Sequence, residues 1–305
     1  LLTKRCLRRY KKQYANSMKK TLAIDGNNLI HRCFHTAKMV SEGDEDLQDG
    51  LHIKFTLNAI KSYVKMFKPS QTYITWDQRK GDHNWRKKQY SEYKGNRSGD
   101  SAPHSNTAII TEMLKHLGIN SVYPLVLEAD DIISYMTQEI DGETVIISAD
   151  QDFIQLISPL VILYDPVRKR YFNEENMEER TGYVTVEEWL QAKYIRGDKS
   201  DNVPGVKGYG TAKISKVLAG HIELSDEQMI ICDRNADLFD LNKYKVIAGE
   251  RDWYIEQFDM STEPSYDMFV ELCKTHKQGA IIQRKSDWYS TFFSTNSVVD
   301  LLNRL

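Results

Sequence analysis

Short apolar runs that each lead into an acid constrain this chain more than any other feature. Leu22-Ala23-Ile24 runs into Asp25-Gly26-Asn27-Asn28, and Thr72–Trp76 ends on Asp77. Ser121–Tyr123 leads to Glu128-Ala129-Asp130-Asp131, and Thr144–Ser148 to Ala149-Asp150-Gln151-Asp152. Apolar runs this short, bounded by turn residues, predict buried strands, the first of them followed by a turn at Asp25–Asn28. Segments of helical period separate them. Leu51, Phe55, Ile60, Val64 and Phe67 form one, stopped by Pro69, and Ile109, Ile110, Met113, Leu114 and Leu117 form another, closed by Gly118. Ile132, Ile133, Met136 and Ile140 place Glu128, Asp130 and Asp131 in the first turn of a third helix, where the dipole favours negative charge. Val161–Tyr164 and Lys169–Phe172 add two strands, a candidate hairpin. Strands alternating with helices predict an α/β fold: a mostly parallel sheet with helices on both faces.

Open sheets of this kind bind ligands at the carboxyl ends of their strands. A lone aspartate after a strand is usually a turn or cap residue. Seven carboxylates at one sheet edge (Asp25, Asp77, Glu128, Asp130, Asp131, Asp150 and Asp152) exceed what capping needs. They would repel one another and raise one another's pKa unless something neutralised them. Hard divalent cations do so with oxygen ligands, and two such ions about 4 Å apart can activate water and stabilise the leaving oxygen of a phosphodiester.

Two further segments bear on what meets those acids. Residues 78–97 hold seven basic side chains (Arg79, Lys80, Arg86, Lys87, Lys88, Lys94 and Arg97) against Asp82 and Glu92, with Trp85, Tyr90 and Tyr93 interleaved. Cations neutralise phosphates while aromatic faces stack on unpaired bases, so this insertion, directly after Asp77, is a candidate grip for a single strand. From Val184 onward the pattern is helical but broken between Gly197 and Gly210, where Asp198 and Asp201 precede Val203-Pro204-Gly205-Val206-Lys207-Gly208-Tyr209-Gly210. Glycines there let backbone approach phosphate, and a helix N-terminus follows. The spacing is not that of a P-loop. The alternative is a plain helix hairpin.

The first twenty residues carry eight of the 41 basic residues and no acid, so the remainder has 33 basic against 43 acidic, a net charge of −10. Residues 1–17 are expected to be a basic tail outside the fold. A hydrophobic content of 41% with 28% charged residues suits a folded soluble chain of about two domains. No run approaches the ~18 apolar residues of a membrane span. Cys6, Cys33, Cys232 and Cys273 lie far apart without a Cys-x-x-Cys pair, which suggests neither a disulfide framework nor a zinc site, and a reducing, intracellular setting.

Together these motifs resemble the 5′ nuclease or flap endonuclease superfamily, especially its bacteriophage members and the N-terminal exonuclease domain of bacterial DNA polymerase I. The resemblance rests on Ile24–Asn28, Trp76-Asp77, Tyr93-Lys94-Gly95-Asn96-Arg97, Glu128–Asp131, Ser148–Asp152 and Gly197–Gly205, and spans roughly residues 21–220. It implies a PIN-like core over residues 18–183 with a helical arch at about 78–104, then a helix–three-turn–helix region and C-terminal helices over 184–305. It implies two Mg²⁺ ions, which Mn²⁺ can replace, one served by Asp25, Asp77, Glu128, Asp130 and Asp131, the other by Asp150, Asp152, Asp198 and Asp201. Lys94 matches the arch lysine that contacts the scissile phosphate, so Lys94 with Asp25, Asp77, Asp130 and Asp150 forms the implied catalytic set. Tyr93 matches an aromatic that stacks on a base, and Arg86 and Arg97 are candidate phosphate clamps. Gly205, Val206, Lys207, Gly208 and Gly210 would grip duplex backbone, with K⁺ on turn carbonyls.

The implied activity is Mg²⁺-dependent, structure-specific 5′-3′ exonuclease and flap endonuclease action on branched or nicked duplex DNA, or on RNA–DNA primers, during replication or repair. The expected protein is a monomer of the cytoplasm with a replication partner, and its ending without a polymerase domain favours a stand-alone, phage-encoded enzyme. The rival readings are a non-catalytic branched-DNA module, which loss of a central carboxylate would favour, and a PIN-type RNase, which would lack the glycine-rich turn.

Overall fold

The computed structural model describes residues 19–77, 85–96, 102–244, 246, 248–260 and 262–293. The basic tail 1–17, Arg79, Lys80 and Arg97 lie outside the described residues.

Six strands form one sheet: β1 (Lys20–Asp25), β2 (Gln71–Thr75), β3 (Asn120–Val122), β4 (Glu143–Ile147), β5 (Val161–Asp165) and β6 (Arg170–Phe172), in the order β3-β2-β1-β4-β5-β6. All pairings are parallel except β5 with β6, the predicted hairpin. Leu22, Ala23, Ile24 and Ile74 are fully buried, because parallel strands need apolar residues on both faces. The strand order reverses between β1 and β4, which creates a crevice beyond their carboxyl ends. Register places Ile24 opposite both Ile74 and Ile147, so β1, β2 and β4 end level with one another.

The expected turn after β1 is instead the start of a 16-residue helix, Gly26–Ser41. Gly26, Asn27 and Asn28 have low helix propensity, but the Asp25 side chain accepts from the Asn28 N–H as an N-cap. Leu29, Ile30, Cys33, Phe34 and Ala37 supply the buried face. This helix and Glu45–Phe67 cover one side of the sheet, and Ala129–Glu139 covers the other.

The last helices complete both sides. Phe269, Cys273, Ile281 and Trp288 join the core beneath Glu45–Phe67, where Lys61 lies 4.5 Å over the Trp288 ring and 2.8 Å from Asp287. Tyr254 and Phe258 join the opposite core, and the Tyr73 hydroxyl donates to the Phe258 carbonyl. Division of the sequence at residue 184 therefore does not coincide with a break in packing.

Gly26 is where this packing bears on the crevice. A Cβ there would lie 2.5 Å from the Thr75 carbonyl oxygen and 2.7 Å from the buried Trp76 ring. Gly26→Ala should cost about 1–3 kcal/mol by overpacking and displace the neighbouring Asp25. Thermal melting should show a drop of several degrees, and an unchanged melting temperature would mean that β2 yields without penalty.

Candidate active site

A cavity of about 620 Å³ opens at the carboxyl ends of β1, β2 and β4. Eight of the nine expected ligand acids line it: Asp25, Asp77, Glu128, Asp130, Asp150, Asp152, Asp198 and Asp201. Asp131 does not.

Backbone and hydroxyl donors aim the inner acids. The Asp25 carboxylate accepts from Asn28 N–H at 3.0 Å and from Ser148 Oγ at 2.7 Å. Ser148 Oγ in turn accepts from the Asp150 N–H, and the Asn28 side chain accepts from Ala149 N–H. Asp77 accepts from Ala129 N–H at 2.9 Å, which ties the end of β2 to the helix that carries Asp130. Burial, opposed by those hydrogen bonds and reinforced by Asp150 and Asp77, pushes the Asp25 carboxyl up to about 7. Burial followed by Asp25 and Asp150 raises Asp130 well above the usual carboxylate range, although Lys94 pulls the other way.

Glu128, Asp131, Asp152 and Asp198 already have cations. Burial would raise Glu128, but Lys94 at 2.6 Å and Arg86 at 3.0 Å hold it down at about 2. Asp131 takes two hydrogen bonds from Arg86, at 2.6 and 2.7 Å, and also accepts from the Glu128 N–H. This arrangement corrects the ligand set implied by resemblance: Asp131 turns away from the cavity because a buried guanidinium claims both its oxygens. Lys193, which the sequence reading missed, pairs with Asp152 and stands 3.3 Å from Asp198. Burial still leaves Asp152 raised, despite Lys193, while Ser200 and Lys193 hold Asp198 low against its own burial. Lys193 falls just before the Gly197–Gly205 motif and in none of the quoted motifs, which hid it. Its place in an otherwise apolar helix face, beside Trp189 and Ala192, was the available signal.

Four acids at the crevice, Asp25, Asp77, Asp130 and Asp150, are in none of the ion pairs formed among the described residues at this end. Their oxygens are hard donors, and two of the four carboxyls are raised by burial and, after it, by the neighbouring carboxylates. The set fits a divalent cation. As they stand, no three or more His, Cys, Asp or Glu side chains among the described residues close around one ion. Mg²⁺ keeps several waters and needs only one or two direct carboxylates, so the two observations agree.

The insertion also differs from expectation. Arg86 sits on the short helix Trp85–Gln89 and is 2% exposed, its guanidinium spent on Asp131, Glu128 and the Leu238 carbonyl. Tyr93 is 3% exposed, packs with Val203, Leu238 and Phe239, and donates its hydroxyl to Glu128. Trp85 packs on Tyr244 and Arg86. These three side chains anchor the insertion and do not present a stacking surface, since desolvated Arg86 must face the acids that neutralise it. Lys94, left-handed with φ 54°, donates its N–H to the Asp201 carbonyl, and Asn202 donates to the Glu92 carbonyl. The foot of the insertion is thus bonded to the glycine-rich turn.

Within that turn, Gly197–Asp198 and Val203–Pro204 form a two-residue antiparallel pair. A Cβ on Gly205 would lie 2.2 Å from the Arg196 backbone, and one on Gly197 2.3 Å from Gly205 N. Those two glycines serve contact between backbones. Val206 is buried, whereas Lys207, Gly208 and Gly210 are exposed before the helix Thr211–Leu218, with φ +81° at Gly208.

Arg86→Ala would leave Asp131 buried with its main partner gone and Glu128 with Lys94 alone, and breaking such a buried pair costs about 3–5 kcal/mol. Chemical denaturation should show a loss of that size, and a loss under ~1 kcal/mol, as for an exposed ion pair, would contradict the anchor.

Residues 20–182 match the family described as 5′-3′ exonuclease, N-terminal resolvase-like domain. The flap endonuclease Xni of Shewanella sp. strain MR-4 is 32% identical over 207 residues, 66% of this chain and 75% of that protein. Its counterpart from Shewanella oneidensis is 31% identical over the same shares. These relatives are bacterial. Among solved structures, the T5 D15 protein co-crystallised with metal ions superposes with a TM-score of 0.61 at 20% identity, covering 85% of this chain and 99% of that one. The catalytic core of Rad2 in complex with DNA substrate gives 0.51 at 14% identity, covering 94% and 99%. Both share the PIN-like α/β fold.

Proposed function

The chain belongs to the 5′-3′ exonuclease family, and on that premise we propose that it is a Mg²⁺-dependent, structure-specific 5′ nuclease. Its substrates are 5′-ended or flapped duplex DNA, with RNA–DNA primers within the range, during replication or repair. The observation that carries this reading is the uncompensated carboxylate group Asp25, Asp77, Asp130 and Asp150 at the crevice between β1 and β4.

Asp25, Asp77, Asp130 and Asp150 would hold the first ion. Asp152, Asp198 and Asp201 would assist a second, with Lys193 already offsetting part of their charge. Bound there, divalent ions activate water and stabilise the leaving oxygen of a phosphodiester. Ser148 and Asn28 hold the Asp25 carboxylate in place, so little reorganisation accompanies reaction. Lys94 rests 2.6 Å from Glu128 at the cavity wall, within reach of a phosphate that enters. Its ammonium would donate to the phosphate as negative charge grows. Arg86 and Tyr93 fix Glu128 and through it Lys94, so both act as positioning residues. The exposed backbone at Lys207, Gly208 and Gly210, ahead of a helix N-terminus, is the proposed duplex grip and K⁺ site.

A labelled 5′-flap duplex tests the proposal. Cleavage should require Mg²⁺ or Mn²⁺ and stop in EDTA. Asp150→Asn should abolish cleavage while DNA affinity is kept or improved, because a charge facing phosphate is lost. Activity within about tenfold of wild type, a ~1.4 kcal/mol barrier change, would contradict the assigned role of this cluster.

A further inference from the structure

Lys193 is held as a bound ion would be. It lies on the helix Val186–Arg196, with its side chain only 6% exposed. Its one Nζ atom meets two carboxylates that line the cavity: it pairs with Asp152 and stands 3.3 Å from Asp198. The same atom is 4.7 Å from the centre of the Phe239 ring and 5.9 Å from that of Trp189. Two acids and two ring faces therefore fix a unit positive charge at one point, away from bulk water. Asp198 is aimed there from its other oxygen, Oδ1, which accepts from the Ser200 N–H at 2.8 Å and the Asp201 N–H at 3.3 Å.

The acids of the cavity divide accordingly. Asp152 and Asp198 share the ammonium, whereas Asp25, Asp77, Asp130 and Asp150 are in none of the ion pairs formed among the described residues at this end. One hydrogen bond joins the two groups, from the Asp152 N–H to the Asp150 carboxylate at 2.8 Å. Mg²⁺ or Mn²⁺ needs only one or two direct carboxylates, and Asp152 and Asp198 already converge on a single atom. That point is filled by the protein itself. A divalent ion cannot share it with the ammonium, and one placed beside it would be repelled.

We propose, on the premise that the cavity takes divalent metal, that Lys193 is a built-in counter-ion occupying the second cation position. The DNA-free protein then holds one divalent ion tightly, at Asp25, Asp77, Asp130 and Asp150, and a second only weakly. Substrate phosphate, by adding negative charge, would offset the repulsion from Lys193 and allow the weak position to fill.

Mn²⁺ is the probe, counted by the electron paramagnetic resonance of the free ion as it is titrated into the metal-stripped full chain without DNA. Wild type should take up one equivalent tightly and a second at least about tenfold more weakly, because the second enters against the ammonium. Lys193→Met keeps most of the side chain and removes its charge, and it should bind two equivalents tightly. Adding Asp198→Asn to Lys193→Met should return the count to one. Both variants are verified as folded by circular dichroism, and the wild-type count tests the proposal even where a variant does not fold. Two equivalents of similar affinity in wild type, a single one in folded Lys193→Met, or a second that survives Asp198→Asn would overturn the proposal and leave the metal reading standing. Uptake of no Mn²⁺ by wild type or by Lys193→Met would overturn both.

Discussion

Carboxylate repulsion at the carboxyl edge of the sheet is the constraint around which the rest of the molecule is arranged. Parallel strands β1, β2 and β4 end level, so the acids that follow them converge whether or not their charges are compensated. The strand order reverses at this point, which leaves no neighbouring helix to fill the gap. Burial and, after it, the neighbouring carboxylates act on single groups: Asp25 is pushed up to about 7, and Asp130 also lies well above the ordinary carboxylate range.

The chain neutralises only part of this charge. Arg86 and Lys94 answer Glu128 and Asp131, and Lys193 answers Asp152 and Asp198. Each of these cations also does mechanical work. Arg86 reaches the Leu238 carbonyl and so fixes the near foot of the insertion against the helix Asp226–Phe239. Lys94 is bonded through its backbone to Asp201, beside the glycine-rich turn. The buried ion pairs thus set the geometry of the cavity walls and leave its centre negative. That residual charge, at Asp25, Asp77, Asp130 and Asp150, is the basis for reading the site as one that recruits divalent metal.

Strand positions and the acids after them were legible in the sequence because burial on both faces produces short, continuous apolar runs. Helix Gly26–Ser41 was not, since Gly26-Asn27-Asn28 carries turn chemistry and only the Asp25 cap and a buried face override it. The inward role of Arg86 and Tyr93 was hidden for a related reason: a basic, aromatic segment looks like a binding surface until the acids that bury it are known. Asp131 shows the converse, as an acid within a ligand motif whose oxygens a guanidinium takes. Gly205 read as a phosphate-approach glycine, yet its missing side chain, like that of Gly197, serves one backbone crossing another. The C-terminal helices gave no motif because they contribute mainly apolar packing, through residues such as Phe269 and Trp288, with scattered polar contacts such as Lys61–Asp287.

The central claim is that uncompensated charge at the crevice destabilises the metal-free fold and is relieved by a divalent cation. Asp25 binds a proton more tightly folded than unfolded, so its contribution is present at low pH and is lost as pH rises from about 4 through about 7. His52, lowered by burial, changes stability in the opposite sense near neutral pH, so melting must be compared with and without metal at each pH. The decisive measurement is the rise in melting temperature on adding Mn²⁺ to EDTA-treated protein, followed from pH 5.5 to 8. This account predicts that the increment grows across that window and is much smaller in Asp25→Asn. An increment constant from pH 5.5 to 8, as carboxylates of ordinary pKa would give, would contradict it.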